Sequence, residues 1–185
     1  MIVLIHAHPY PAHSVAGKIL LDSIRDVPLL NVRSLYQLYP DFDIDVRAEQ
    51  EALRYAKLVI WMHPLYWYSV PALLKLWFDK VLSVGWAYGE GCYALKGKDC
   101  LWITTTGGTH ESYGEDGNHG FSFEQFAYPL KQTAAFCKMN WLDPFIVHGA
   151  HKSNEVALRK VGQQLRTALL AYAQQFDSFD VNTQE

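Results

Sequence analysis

Several things are scarce in this 185-residue chain, and each scarcity removes a class of protein. Cysteine occurs three times, at Cys92, Cys100 and Cys137, with no Cys-x-x-Cys pair. That excludes a disulfide framework and a thiolate zinc site, and suits a reducing compartment. No apolar run approaches the roughly 18 residues that would span a bilayer. Met1 leads straight into an apolar run of four without a basic leader, so no secretory signal is expected and the expected location is the cytoplasm. Positive charge is not in surplus: the net charge is −3 and no basic stripe is visible, which argues against a nucleic-acid partner. Neither the Gly-x-Gly-x-x-Gly turn nor the P-loop is present. Repeats, linkers and low-complexity stretches are absent too. A single domain over residues 1–176 is expected, with a polar, frayed tail at 177–185.

What is present is apolar sequence in short, regularly spaced runs; half the chain is hydrophobic and 14% aromatic. Residues 2–5, 31–35, 58–62, 101–106 and 141–148 read as strands, several of them continuous β-branched runs buried on both faces. Helical spacing follows each: Ala16, Ile19, Leu20 and Ile24; residues 48–56; Leu73, Leu74, Trp77, Phe78, Val81 and Leu82; residues 121–137; residues 154–176. Pro129 should kink or divide the fourth of these. Asp41, Asp43 and Asp45 alternate with Phe42, Ile44 and Val46, which reads as an extended edge segment with one wet face, or alternatively as an acidic ridge for a basic partner. Five βα units with short turns imply a parallel α/β sheet in a three-layer sandwich, with the flavodoxin-like strand order 2-1-3-4-5.

In such sheets ligands sit beyond the carboxyl ends of the strands. After the first strand comes a two-proline loop with His6, His8 and His13, then Ser14 as a candidate N-cap. A free helix start there can hold a phosphate monoester, although an ordinary capped turn is the plain alternative. His6 and His8 share a face, but no third ligand lies at a fitting spacing, so no metal is expected. After the third strand comes Pro64-Leu65-Tyr66-Trp67-Tyr68-Ser69-Val70-Pro71, whose three consecutive aromatics suit a planar ligand, with Ser69 able to cap and Pro71 in the first turn. After the fourth come Thr105-Thr106-Gly107-Gly108, then Tyr113 and His119 six residues apart. Two glycines let backbone N–H groups approach a flat ring; the Tyr and His could supply protons, or be two ordinary polar loop residues. Residues 85–97 form a Gly- and aromatic-rich connection, long enough to serve an interface.

Together, His8-Pro9 with Ser14-Val15-Ala16-Gly17, the Pro64 to Pro71 loop with Leu74-Lys75-Leu76-Trp77-Phe78-Asp79, and Thr105-Thr106-Gly107-Gly108 resemble the flavodoxin-like NAD(P)H:quinone oxidoreductases of the DT-diaphorase type. Ser34-Leu35-Tyr36-Gln37-Leu38-Tyr39-Pro40-Asp41-Phe42 and Gly85-Trp86-Ala87-Tyr88-Gly89 are similar to one branch, the KefF-type ancillary proteins of the glutathione-regulated potassium-efflux system. The resemblance implies FMN, with NADH or NADPH as co-substrate and a quinone as acceptor in a ping-pong hydride transfer. It implies that His8, Ser14, Val15, Ala16 and Gly17 hold the phosphate, that Leu65, Tyr66, Trp67 and Tyr68 border the ring, and that Thr105, Thr106, Gly107 and Gly108 bond its pyrimidine edge. Tyr113 and His119 take the positions of that family's catalytic pair, and Gly17 stands where Asn is usual. The resemblance also implies a homodimer, docked peripherally on a Kef-type potassium:proton antiporter at the cytoplasmic side of the inner membrane. A one-electron flavodoxin carrier, or a regulatory subunit without catalysis, is the alternative.

Overall fold

The computed structural model describes residues 1–114 and 116–177. Its centre is a parallel sheet ordered β2-β1-β3-β4-β5, built from Ile2–His6 (β1), Leu30–Ser34 (β2), Leu58–Pro64 (β3), Asp99–Thr105 (β4) and Asn140–Trp141 (β5). Phe145–Val147 (β6) pairs with the upper half of β4, so the expected fifth strand is two short ones on the same neighbour. The break covers residues 142–144; Pro144, with no N–H and a fixed φ, cannot continue the ladder. The expected strand order is otherwise observed.

The helices are Val15–Ile24 (α1), Leu35–Leu38 (α2), Val46–Arg54 (α3), Ala72–Val81 (α4), Phe123–Phe136 (α5) and Glu155–Asp177 (α6). Helix α5 runs unbroken through Pro129, contrary to the expected division, and starts from a reciprocal capping box between Ser122 and Gln125. Helix α6 reaches one residue into the segment expected to fray; the rest of that expectation, 178–185, lies outside the described residues. No helix among the described residues is long and apolar enough to cross a membrane.

Strand alternation sorts the core into two layers. Val3, Ile5, Val59, Trp61, Cys100 and Trp102 face α3, α4 and α5. Ile2, Leu4, Ile60, Met62 and Ile103 face α1 and α6. Each fully buried aliphatic side chain of this kind stabilises the fold by roughly 1.5–3 kcal/mol. Gly162 lets α6 approach α1, since a Cβ there would meet the Ser23 hydroxyl at 2.2 Å.

Residues 35–46 are not an extended edge. After one turn of α2 the chain folds back so that the Tyr39 hydroxyl reaches the fully buried Glu49 carboxylate at 2.6 Å. Arg33 Nε reaches the same oxygen at 2.7 Å, and Trp77 Nε1 donates to the other at 2.9 Å. Burial and the Glu49 carboxylate push the Tyr39 hydroxyl up to about 12. The network fastens this segment to α3 and α4. Asp41 then accepts from the Asp43 N–H and Asp45 caps α3 through the Ala48 N–H, while Phe42 turns the chain with φ +65°.

Candidate functional site

Four strand ends meet at one edge of the sheet. At the end of β1, a 3-10 turn (Pro11–His13) delivers the chain to α1. Ser14 occupies the N-cap position but its side chain makes no capping bond, contrary to expectation. The N–H groups of Val15, Ala16 and Gly17 therefore have no acceptor among the described residues, at the positive end of a ten-residue helix. The Ser14 hydroxyl lies across the first turn instead, 2.4 Å from where a Cβ on Gly17 would stand, so only glycine fits this arrangement.

His8 Nδ1 accepts the Tyr10 N–H at 3.1 Å, which leaves the ring proton on Nε2 as a donor. Burial lowers the His8 pKa. Behind it, His6 and His63 are both pushed down to about 4, chiefly by burial. For His63 the partners fix the tautomer: Trp102 Nε1 donates to Nε2 at 2.8 Å and Nδ1 donates to the Pro64 carbonyl at 2.9 Å. Among the described residues no group of three or more His, Cys, Asp or Glu could hold a metal.

At the end of β3, the Leu65 N–H is tied to the Thr105 carbonyl at 2.9 Å, and Tyr66 and Ser69 exchange two backbone bonds around Trp67 and Tyr68. Both central residues have positive φ, +46° and +61°, a strain of the order of 1–3 kcal/mol each. Pro71, not Ser69, is the N-cap of α4. The strained turn projects Trp67 outward, 91% exposed, and brings Tyr68 onto Phe126 with ring centroids 5.2 Å apart.

At the end of β4, a second 3-10 turn (His110–Ser112) and a tight loop return the chain, with the His119 N–H on the Ser112 carbonyl. Tyr113 and His119 come together with rings stacked 4.4 Å apart. They cover Gly108: a Cβ there would be 2.8 Å from His119 Nε2 and 3.2 Å from the Tyr113 hydroxyl. The Tyr68 hydroxyl lies 3.3 Å from His119 Nδ1, joining the β3 and β4 loops. The N–H groups of Gly107 and Gly108 have no acceptor among the described residues.

The fourth wall was not expected. Residues 147–151, from the last residue of β6 onward, clamp the Thr-Gly-Gly loop: Thr106 N–H to Val147 O, Gly149 N–H to Gly108 O, Ala150 N–H to Thr106 O, all within 2.9 Å. His151 lies against Gly107. His148 contacts Thr106, Tyr113, Phe123 and His110, and burial followed by the His110 charge lowers its pKa. A glycine between two histidines at a strand end is the same kind of signal that marked the other loops.

Between α1 and these loops lies a cleft of about 490 Å³, inside the size range of small-ligand sites. Ser14, Val15, Ala16, Tyr66, Thr105, Thr106 and Gly107 line it, joined by His13, His151 and Ser153. His8, Gly17 and Thr105 line an adjoining void of about 10 Å³. Leu65, Trp67, Tyr68 and Gly108 do not line the cleft: Leu65 packs against the core, Trp67 and Tyr68 form the rim, and Gly108 lies beneath Tyr113 and His119. A flat ring with a phosphate tail fits this set: open amides at a helix start for the anion, and open glycine amides for a polar ring edge.

The model of the flavodoxin-like fold family Flavodoxin_2 matches residues 1–170. The glutathione-regulated potassium-efflux system ancillary protein KefF of Enterobacter sp. (strain 638) is 49% identical over 170 residues, 92% of this chain and 96% of that protein. Among solved structures, the general stress protein 14 of Treponema denticola in complex with FMN superposes with a TM-score of 0.83 at 33% identity, over 94% of this chain and 98% of that one. An NADPH-quinone reductase from P. pentosaceus gives 0.82 at 28% identity, over 94% and 97%.

Proposed function

The chain belongs to the Flavodoxin_2 family, and from that premise we propose that it is an FMN-dependent NAD(P)H:quinone oxidoreductase that also serves as the ancillary subunit of a Kef-type potassium:proton antiporter. The observation that carries the FMN reading is the set of open donors at one cleft and its edges: the N–H groups of Val15, Ala16 and Gly107 on the cleft, that of Gly17 and the His8 Nε2–H on the adjoining void, and that of Gly108 behind Gly107 under Tyr113 and His119. When bound, FMN supplies the chemistry, accepting a hydride from NADH or NADPH and returning it to a quinone.

The chain's own residues do the rest. The start of α1 and His8 hold the phosphate without a fixed cation. The Gly107 and Gly108 amides stabilise negative charge on the ring edge, as oxyanion-type donors do. Tyr66, Trp67 and Tyr68 offer a flat apolar rim on which a nicotinamide or quinone can lie and from which water is displaced. Tyr113 and His119 would donate hydrogen bonds to the negative charge that develops on the ring as it is reduced, and could pass a proton to a quinone oxygen. Removing such a donor typically raises a barrier by about 3 kcal/mol. Stopped-flow mixing with NADPH should therefore find flavin reduction slowed by about 10²- to 10³-fold in Tyr113→Phe or His119→Ala, with FMN retained; wild-type rates in both would remove the pair from the mechanism.

A second copy of the chain is the proposed occupant of the groove between α4 and α5, about 540 Å³, where Phe78, Leu82, Tyr88, Leu130 and Phe136 meet beside the Ser69–Val70 edge of the aromatic loop. The antiporter is the proposed partner of the surface at residues 38–43, where Leu38 and Phe42 are exposed. Of Asp41, Asp43 and the nearby Asp45, the first and last are engaged in local backbone bonds, which leaves Asp43 as the carboxylate free for a basic partner apart from a 4.0 Å contact with Lys80. The 49% identity to proteins named as ancillary favours a second reading, in which flavin binding is regulatory and turnover is not required. Antiporter activation that survives in a variant with abolished flavin reduction would select it.

A further inference from the structure

One imidazole touches both Thr106 and Tyr113, and its hydrogen-bond logic is closed. Thr106 is 3% exposed, and its hydroxyl donates to the Gly108 carbonyl at 2.7 Å. A hydroxyl has one proton. Its second contact, to His148 Nδ1 at 3.3 Å, can then only be accepted, so His148 carries its proton on Nδ1. The donation from His148 takes up a lone pair of Oγ1 and aims the Thr106 proton at Gly108 O. That carbonyl also accepts the Gly149 N–H at 2.8 Å and is thereby held toward the β6 turn. The Thr106 carbonyl, which shares a peptide unit with the Gly107 N–H, accepts the Ala150 N–H at 2.9 Å, and in the turn so held the Gly107 and Gly108 amides have no acceptors among the described residues. The same His148 ring packs 5.4 Å from Tyr113 and 4.9 Å, edge-on, from Phe123.

We infer that His148 is a positioning residue. By donating from Nδ1 to Thr106 it fixes the Gly107–Gly108 backbone that receives the ring edge of the cofactor, and by packing on Tyr113 it holds that phenol in register with it. The functional part of this inference rests on the FMN reading of the cleft; the structural part does not.

The test has two arms. In cofactor-free protein, ¹⁵N-resolved imidazole spectra should show His148 as the Nδ1–H tautomer. Thr106→Val should abolish that preference and accelerate exchange of the Gly149 amide by at least about 10-fold, whereas Thr106→Ser should keep both. In FMN titrations, His148→Leu should weaken binding by about 10- to 100-fold, while His148→Asn, whose amide N–H can replace Nδ1–H, should stay within about 3-fold of wild type. An Nδ1-deprotonated His148, or a Gly149 amide indifferent to Thr106→Val, would overturn the inference. So would a His148→Leu variant that binds FMN as wild type does. If wild-type protein fails to bind FMN, the cofactor reading falls, and the tautomer and exchange arm still decides whether His148 positions this backbone.

Discussion

At the carboxyl end of the strands sit all eight histidines of the chain, with the three-aromatic turn and the open amides. At the amino end Arg54, Lys57, Lys96 and Lys98 surround a smaller cleft of about 270 Å³. One of these cations, Lys98, serves the fold itself. Lys98 Nζ donates to the Arg54 and Ala56 carbonyls at 2.8 and 2.7 Å, finishing the C-terminus of α3, and burial with the neighbouring Lys57 charge lowers its pKa. Helices that follow parallel strands end at this edge, where the negative ends of their dipoles favour cations. At the opposite edge the helices begin, and neutral donors take the place of cations. The contrast is one of engagement: the Lys98 charge is taken up by the protein's own carbonyls, while neutral N–H groups at the carboxyl end stay without protein acceptors among the described residues.

The two ends should differ most in their response to pH. His6 and His63 titrate near 4 in the folded chain and near 6.5 when unfolded. Between those values the unfolded chain binds more protons, so folding stability is complete above about 6.5 and falls as pH drops toward about 4, with a slope of up to about 2.7 kcal/mol per pH unit for the pair. Urea unfolding across that window measures it; a flat profile would mean that the carboxyl end is not built on neutral histidines. Next comes Gly108→Ala, whose methyl group would collide with His119; FMN affinity should drop by about 10- to 100-fold with little change in melting temperature. At the other end, Lys98→Met should lower stability by about 1–2 kcal/mol and the melting temperature by several degrees while leaving FMN affinity unchanged. Least of all, Lys57→Gln with Lys96→Gln should change stability by no more than about 0.5 kcal/mol. A large loss of FMN affinity from either amino-end variant would erase the distinction between the two ends.

The sheet and its order were legible because β-branched runs and helical stripes alternate cleanly from residue 2 to residue 106. The divided fifth strand was less so: Pro144 was visible, but a two-residue ladder at Asn140 and Trp141 has no pattern of its own. Residues 41–46 imitate a strand through alternating Asp and apolar residues, while their true fold depends on Glu49, eight residues beyond Asp41 and outwardly an ordinary helix surface residue. Three walls of the site announced themselves through aromatics and glycines at strand ends. The fourth, at residues 147–151, acts through backbone bonds to Thr106 and Gly108, and a backbone bond leaves no trace in side-chain identity. Ser14 sits where capping is expected, but its hydroxyl makes no capping bond and lies over Gly17, in the space a Cβ would occupy.

The central claim is that the open amides at the carboxyl end receive FMN. Titrating FMN into the purified, flavin-stripped chain and following quenching of its fluorescence tests this most directly. Wild-type protein should show saturable quenching at one FMN per chain, weakened in Gly108→Ala and unaffected in Lys98→Met; an absence of saturable quenching by the wild-type chain would mean that these amides do not receive FMN.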